Sequence, residues 1–120
     1  MIEFICNYKM KNSIEDISKM DYKELLKEEY DFCIKINDED FYKQPLFPIL
    51  EFLYFYTKWD KNEDFVYNSI ESDETPMILI KKTPKGWTID SVWKKFKCDT
   101  YFHIDEIVKA IEDMISYMKK

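Results

Sequence analysis

The stretch PLFPILEFLYFYTKW, residues 45–59, constrains the fold most, because it is strongly apolar and carries one carboxylate, Glu51. It is too short to cross a bilayer, which takes about 20 apolar residues. On a period of 3.6 residues its large apolar side chains share one face, which collects Ile49, Phe52, Leu53, Tyr56 and Trp59. Pro48 suits the first turn of a helix, where a missing N–H costs nothing. The stretch predicts a core-facing helix from Pro48 to Trp59 with Glu51 on its outer side.

Strand patterns surround this helix. Alternating apolar residues from Ile2 to Met10 predict a first strand, and YDFCIKIN predicts a second that ends at the acidic run Asn37–Asp40. Three further strands are predicted after the helix, joined by short polar links: Phe65–Glu71, Pro76–Lys82 and Gly86–Trp93.

The patterns of the remaining segments predict helices. Ser13 with Asp16 and Asp21 with Glu24 are spaced like capping boxes, which predicts two short helices between the first two strands. A long apolar stripe from Ile104 to Met118 predicts a final helix, with Glu106 reaching back to His103. The order is strand, short helices, strand, helix, three strands, helix. We expect one α+β domain over residues 1–120, with an antiparallel sheet of about five strands and two main helices packed on it.

The balance of charged residues indicates which class of molecule the protein binds. The chain has 18 lysines, no arginine and 24 Asp and Glu residues, for a net charge of −6. An acidic domain without arginine is a poor nucleic-acid binder, because neutralising a phosphate backbone takes a basic surface. Such a domain is better suited to a basic protein.

Neither a membrane nor an oxidising compartment is indicated. The first ten residues contain no signal-peptide apolar stretch. Cys6, Cys33 and Cys98 are odd in number and widely spaced, which fits neither a disulfide framework nor a metal site. We therefore expect a cytoplasmic protein with reduced thiols.

No catalytic, cofactor or metal site is predicted. Cys98 and His103 are the only pairing that suggests a thiol nucleophile, but such a pair also needs contact and an orienting group. We expect His103 to begin the last helix instead. Asp90 and Ser91 are adjacent on a predicted strand, so their side chains point to opposite faces. We do not expect an enzyme.

The candidate partner-binding residues lie in two acidic turns and on the outer side of the helix. Turns allow carboxylates to meet a basic surface without disturbing the core, and exposed aromatic side chains often anchor interfaces. Tyr54 and Phe55 are either such anchors or ordinary exposed aromatics. The full set is Asp38, Glu39, Asp40, Glu71, Asp73, Glu74, Tyr54 and Phe55.

Three stretches within residues 41–93 resemble known proteins: FYKQPLFPILEFLYFYTKW, DFVYNSIESDETPMILI and GWTIDSVW. This order of a proline-started helix ending in Trp, an N-S-I-E…P hairpin and a W-x-I-x-S strand resembles small bacterial proteins. Those compact acidic proteins resemble the immunity proteins, or antitoxins, of polymorphic and contact-dependent toxin systems. The resemblance implies no catalytic residue. It implies binding to a cognate toxin domain.

Two functions are therefore expected, in order. The first is an immunity protein that occludes a cognate toxin, for which we expect a basic, nuclease-type domain. The alternative is a small-ligand-binding or regulatory module without catalytic activity, which requires an apolar pocket with convergent polar groups.

Overall fold

The computed structural model describes residues 1–70 and 73–120 and is an α+β fold, as the sequence predicts. The strands are antiparallel in both sheets. In chain order the elements are β1 (Ile2–Cys6), α1 (Ile14–Ile17), α2 (Tyr22–Leu25), β2 (Glu29–Ile36), β3 (Glu39–Pro48), α3 (Ile49–Lys58), β4 (Phe65–Tyr67), β5 (Ile78–Thr83), β6 (Gly86–Asp90) and α4 (Ile104–Met118).

The expected single sheet of about five strands is instead two sheets of three strands. Sheet A has the order β1-β2-β3, and sheet B has the order β4-β5-β6. The outer edge of β3 is covered by the segment 91–97, where the Lys95 amide donates to the Phe41 carbonyl at 2.8 Å. A loop therefore lies where a single sheet would place another strand.

The strand missing from the sequence prediction is β3. Asn37 and Asp38 have φ angles of 52° and 69°, so these two residues form the tight turn of a β2–β3 hairpin. Such turns require positive φ at both central residues, and Asn and Asp tolerate it better than most side chains. The acidic run thus reverses the chain into a new strand instead of only ending the previous one.

The strands of sheet B are shorter than predicted or begin later. The first ends at Tyr67 rather than Glu71, the second begins at Ile78 rather than Pro76, and the third ends at Asp90 rather than Trp93. Asp90 and Ser91 end β6 with local bonds: Asp90 Oδ1 accepts from the Ser91 amide at 2.8 Å, and Ser91 Oγ from the Trp93 amide at 3.0 Å. Side chains that bond nearby amides compete with strand pairing.

Phe52 on α3 lies at the centre of the core. Its ring is 5.6–6.4 Å, centre to centre, from five other rings that come from both sheets: Phe4, Phe32, Phe47, Phe65 and Tyr67. The predicted inner face of this helix is confirmed, since its five apolar members are all buried. We call Phe52 and these five rings the aromatic hub.

The short helices and α4 begin as the sequence predicts. Ser13 and His103 are the N-caps of α1 and α4, each with a reciprocal capping box. Asp21 caps α2 by accepting from the Glu24 amide at 3.0 Å. Helix α4 packs on β1 and is tied to α3 by the Tyr56 hydroxyl, which donates to Glu112 at 2.6 Å.

Candidate protein interface

The first predicted acidic turn is the tip of the β2–β3 hairpin. Asp38 and Glu39 are exposed there. Asp40 is half-buried and pairs with Lys35 at 3.6 Å, while the Cys33 thiol donates to its Oδ1 at 3.4 Å. That thiol bond, with Lys35 and Lys43, holds the pKa of Asp40 below its usual range. Burial and the same carboxylate raise the pKa of Cys33 to about 11, so the sulfur stays a thiol at neutral pH.

The second predicted acidic turn follows β4. Asp73 and Glu74 are exposed, and Glu71 lies outside the described residues. Glu74 accepts a hydrogen bond from the indole Nε1 of Trp93. This turn is therefore in contact with an aromatic side chain from the segment that follows β6.

Trp93 is not a core residue, although the alternation of the predicted strand Gly86–Trp93 would place it on the same inward face as Trp87. The chain turns away at Ser91, so Trp93 lies beyond the end of β6 and is 37% exposed. One face of its ring stacks on the buried Tyr42, with centroids 6.4 Å apart and planes at 27°. Val92 beside it is also exposed. We call Glu74, Val92 and Trp93 the tryptophan face.

The segment 91–97 connects the two acidic turns. At one end Trp93 contacts Glu74, and further along the Phe96 ring packs edge-on against Phe41, with centroids 5.5 Å apart. Phe41 is two residues from Glu39 at the other turn. Three exposed lysines lie on this segment between the turns: Lys94, Lys95 and Lys97. Lys94 pairs with Asp90 at 3.0 Å. The surface formed by the two turns and the segment is thus acidic at its ends and basic in the middle.

Tyr54 and Phe55 are less available than predicted. Both are half-buried on α3. Phe55 lies 5.9 Å from the Tyr67 ring and 5.6 Å from Tyr54, whose ring also faces the Lys58 ammonium at 5.2 Å. Their rings are largely occupied by contacts within the chain.

The prediction that Glu51 lies on an outer, solvated face is wrong. Its side chain is fully buried, because β4 packs against that side of α3. The Tyr67 hydroxyl donates to Glu51 Oε1 at 2.7 Å, and the Ile70 amide donates to Oε2 at 3.3 Å. Burial and the Glu51 charge raise the pKa of Tyr67 well above its usual range. Glu51 thus fixes the chain just before the second acidic turn.

The remaining candidates for chemistry form no common site. His103 caps α4, and the Cys98 thiol contacts the Thr100 carbonyl at 3.4 Å. Among the described residues, no three His, Cys, Asp or Glu side chains are placed to hold a metal ion. In the same ranges, no helix has the length and apolar character that a bilayer span requires.

Sequence reasoning missed Trp93 as a surface residue and Glu51 as a buried one. A signal for Trp93 was present, because Asp90 and Ser91 are both residues that bond nearby backbone amides and end strands. No comparable signal exists for Glu51. Its burial depends on where β4 packs, and a helical period carries no information on that.

The chain has a small α+β fold, and the surface around Trp93 combines acidic turns, exposed lysines and a partly exposed aromatic ring. The chain belongs to the family defined by the domain of unknown function DUF7878, whose model matches residues 2–120. No curated protein and no solved structure matches the chain.

Proposed function

We propose that this chain is a protein-binding domain that neutralises a basic partner by covering its active surface, as an immunity protein does to its toxin. The observation that carries the proposal is Trp93, a large aromatic side chain held in one orientation and still more than one-third exposed. Tryptophan is enriched among the residues that dominate interface energies. A ring already fixed by Tyr42 and Glu74 loses little further conformational entropy when a partner binds it.

The acidic turns supply the charge for a basic partner. Asp38, Glu39 and Asp73 are exposed and border the tryptophan face or its connecting segment. Carboxylates of this kind act mainly on association rate and on specificity. Because the lysines between them repel a uniformly basic surface, the best partner has its positive charge at two separated places.

The alternative, a small-ligand module, has less support. The large concavities beside β1 are open grooves rather than enclosed pockets, and the space between the sheets and α3 is filled by the aromatic hub. Small-molecule sites usually bury most of the ligand.

The test of this function is a growth assay in a bacterial host. Products of the genes adjacent to the one for this chain are expressed singly, and a product that arrests growth is then co-expressed with the chain. We expect growth to be restored and the two proteins to co-purify as a stable complex. If every adjacent product is harmless, or if growth returns without a complex, the immunity proposal is wrong.

The charge component has its own matched experiment. The triple variant Asp38→Asn, Glu39→Gln, Asp73→Asn should bind the partner with a slower association rate and a flatter salt dependence. The control variant Glu15→Gln, Glu24→Gln, Glu63→Gln removes the same charge from exposed positions elsewhere. Equal effects of the two variants would assign the rate to net charge alone.

A further inference from the structure

Glu51 is a carboxyl group that is fully buried beside the aromatic hub with no cation paired to it. Its oxygens accept from the Tyr67 hydroxyl at 2.7 Å and from the Ile70 amide at 3.3 Å. No ion pair within residues 1–70 and 73–120 includes it. Burying a carboxyl group costs free energy, and replacing both members of a buried polar pair by apolar groups of the same shape can be nearly neutral. Stability alone therefore does not select a carboxyl group at this position.

The two acceptor oxygens join α3 to the segment that ends β4 and follows it. In the described part of the chain, the hydrogen bonds between α3 and residues 67–70 end on Glu51. A carboxylate can accept from two donors at once, whereas glutamine has one acceptor oxygen and methionine only a weakly accepting sulfur. Glu51 therefore holds the Tyr67 side chain and the Ile70 backbone together against the first turn of α3.

A series of backbone hydrogen bonds continues from Tyr67 to Trp93. The Tyr67 carbonyl accepts from the Met77 amide at 3.1 Å. The carbonyl of the preceding residue, Pro76, accepts from the Val92 amide at 2.9 Å, and Val92 immediately precedes Trp93 in the chain. These bonds cross the base of the second acidic turn. The position of Tyr67 is thereby connected to the backbone that carries the exposed ring.

Further contacts hold the base of this turn together. The Met77 amide lies 3.3 Å from Asn68 Oδ1, and the Ser69 amide donates to the Met77 sulfur at 3.3 Å. Ser69 and Met77 are both buried. A closely packed interior transmits a displacement instead of absorbing it. We therefore expect a shift at Tyr67 to move the base as one unit.

We propose that Glu51 is a positioning residue for the tryptophan face. It fixes residues 67–70 against α3, and the backbone bonds across the base of the turn carry that position to Trp93. The effect on a partner rests on the proposed function, because a ring held in one orientation binds at a lower entropic cost. The effect on Trp93 is a property of the free chain and can be measured without a partner.

The test uses a variant that keeps the stability but removes the bonds of Glu51. Glu51→Met with Tyr67→Phe replaces both members of the buried pair by apolar groups of similar size, so the unfolding midpoint should stay close to that of the unmodified chain. The measurement is NMR of the whole, isotope-labelled chain. We expect the indole N–H resonance of Trp93, which reports its bond to Glu74, to shift. Hydrogen exchange at the Val92 amide should become about tenfold faster, although this bond is not itself removed.

The matched control removes another Glu–Tyr bond. Glu112→Met with Tyr56→Phe deletes the 2.6 Å contact between α3 and α4, away from the tryptophan face. The Trp93 resonance and the Val92 exchange rate should be unchanged in this control. If the Glu51→Met with Tyr67→Phe variant does not fold, Glu51→Gln, which keeps one acceptor oxygen, takes its place with a change in the same direction expected.

The same pair of variants is then compared with the growth-arresting partner. The dissociation constant should rise about tenfold in the Glu51 variant and stay unchanged in the control. A shifted Trp93 resonance with an unchanged dissociation constant would support the positioning role and count against Trp93 as an interface residue.

Two results in the free chain would overturn the proposal, whatever the partner experiment gives. One is a folded Glu51 variant with an unchanged Trp93 resonance and an unchanged Val92 exchange rate. The other is an equal change in the control, which would assign the effect to the general loss of a Glu–Tyr bond.

Discussion

The aromatic hub and the tryptophan face are both built from stacked rings, but they differ in what closes them. Phe52 is surrounded by five rings from both sheets and is fully buried. Trp93 has Tyr42 on one face and Glu74 at its indole nitrogen, and the rest of its surface is exposed. The two groups of rings therefore differ in their surroundings within one small protein. The hub fills the core between the two sheets, while the tryptophan face leaves part of one ring exposed.

The largest expected effect is at the hub. Phe52→Ala should lower the free energy of unfolding by about 3–5 kcal/mol, because it removes a buried ring and leaves a cavity. The measurement is urea unfolding followed by circular dichroism. A loss below about 1 kcal/mol would mean that the hub does not hold the sheets together.

The second largest loss of stability is expected at Glu51, the buried carboxylate beside the hub. Glu51→Ala leaves the buried Tyr67 hydroxyl without its acceptor, at about 1–3 kcal/mol, and removes the part-buried bond from the Ile70 amide, worth about 1 kcal/mol, so we expect a total of about 2–4 kcal/mol. Glu51→Gln keeps one acceptor oxygen and should cost less.

Glu112→Ala is the matched control for Glu51. It removes another Glu–Tyr bond, but one in which the carboxylate is exposed, so water can replace it. A loss as large as that of Glu51→Ala would contradict the importance of burial.

Trp93→Ala should cost less stability than either. Its ring is partly solvated in the native state and contributes mainly the stack on Tyr42, so we expect about 1–2 kcal/mol. The same unfolding experiment decides this. Destabilisation equal to that of Phe52→Ala would place Trp93 in the core after all.

The smallest effect concerns acid sensitivity at the first acidic turn. The Cys33 thiol, Lys35 and Lys43 lower the pKa of Asp40, so its carboxylate favours the fold above the unfolded-state pKa of about 3.9. That contribution is lost as the pH falls through the folded-state pKa. Asp40→Asn should therefore flatten the fall of the unfolding midpoint as the pH drops below about 4. If the unfolding midpoint of Asp40→Asn falls as steeply at acid pH as that of the unmodified chain, other carboxylates dominate the acid sensitivity.

Local patterns predict much of this fold. The inner face of α3, the capping boxes of α1 and α4, and the alternation of β1 and β2 each follow from the spacing of a few residues. The prediction of a single domain and the prediction of the partner-binding residues both remain untested.

The features that the sequence did not predict depend on contacts between elements. In the two-sheet arrangement the segment 91–97, and not a strand of sheet B, bonds to β3, and the burial of Glu51 follows from the position of β4. Neither can be derived from the period of one segment. The hairpin turn at Asn37 and Asp38 is different, because these two residues are themselves a turn signal.

The binding role of Trp93 is tested by calorimetry, which compares the affinity for the growth-arresting partner of the unmodified chain and of Trp93→Ala. If Trp93 is an interface hot spot of about 2 kcal/mol, the dissociation constant rises roughly 30-fold in the variant. Tyr22→Ala, which removes an exposed ring on α2, should leave it unchanged. An unchanged dissociation constant in a folded Trp93→Ala variant would show that Trp93 takes no part in binding.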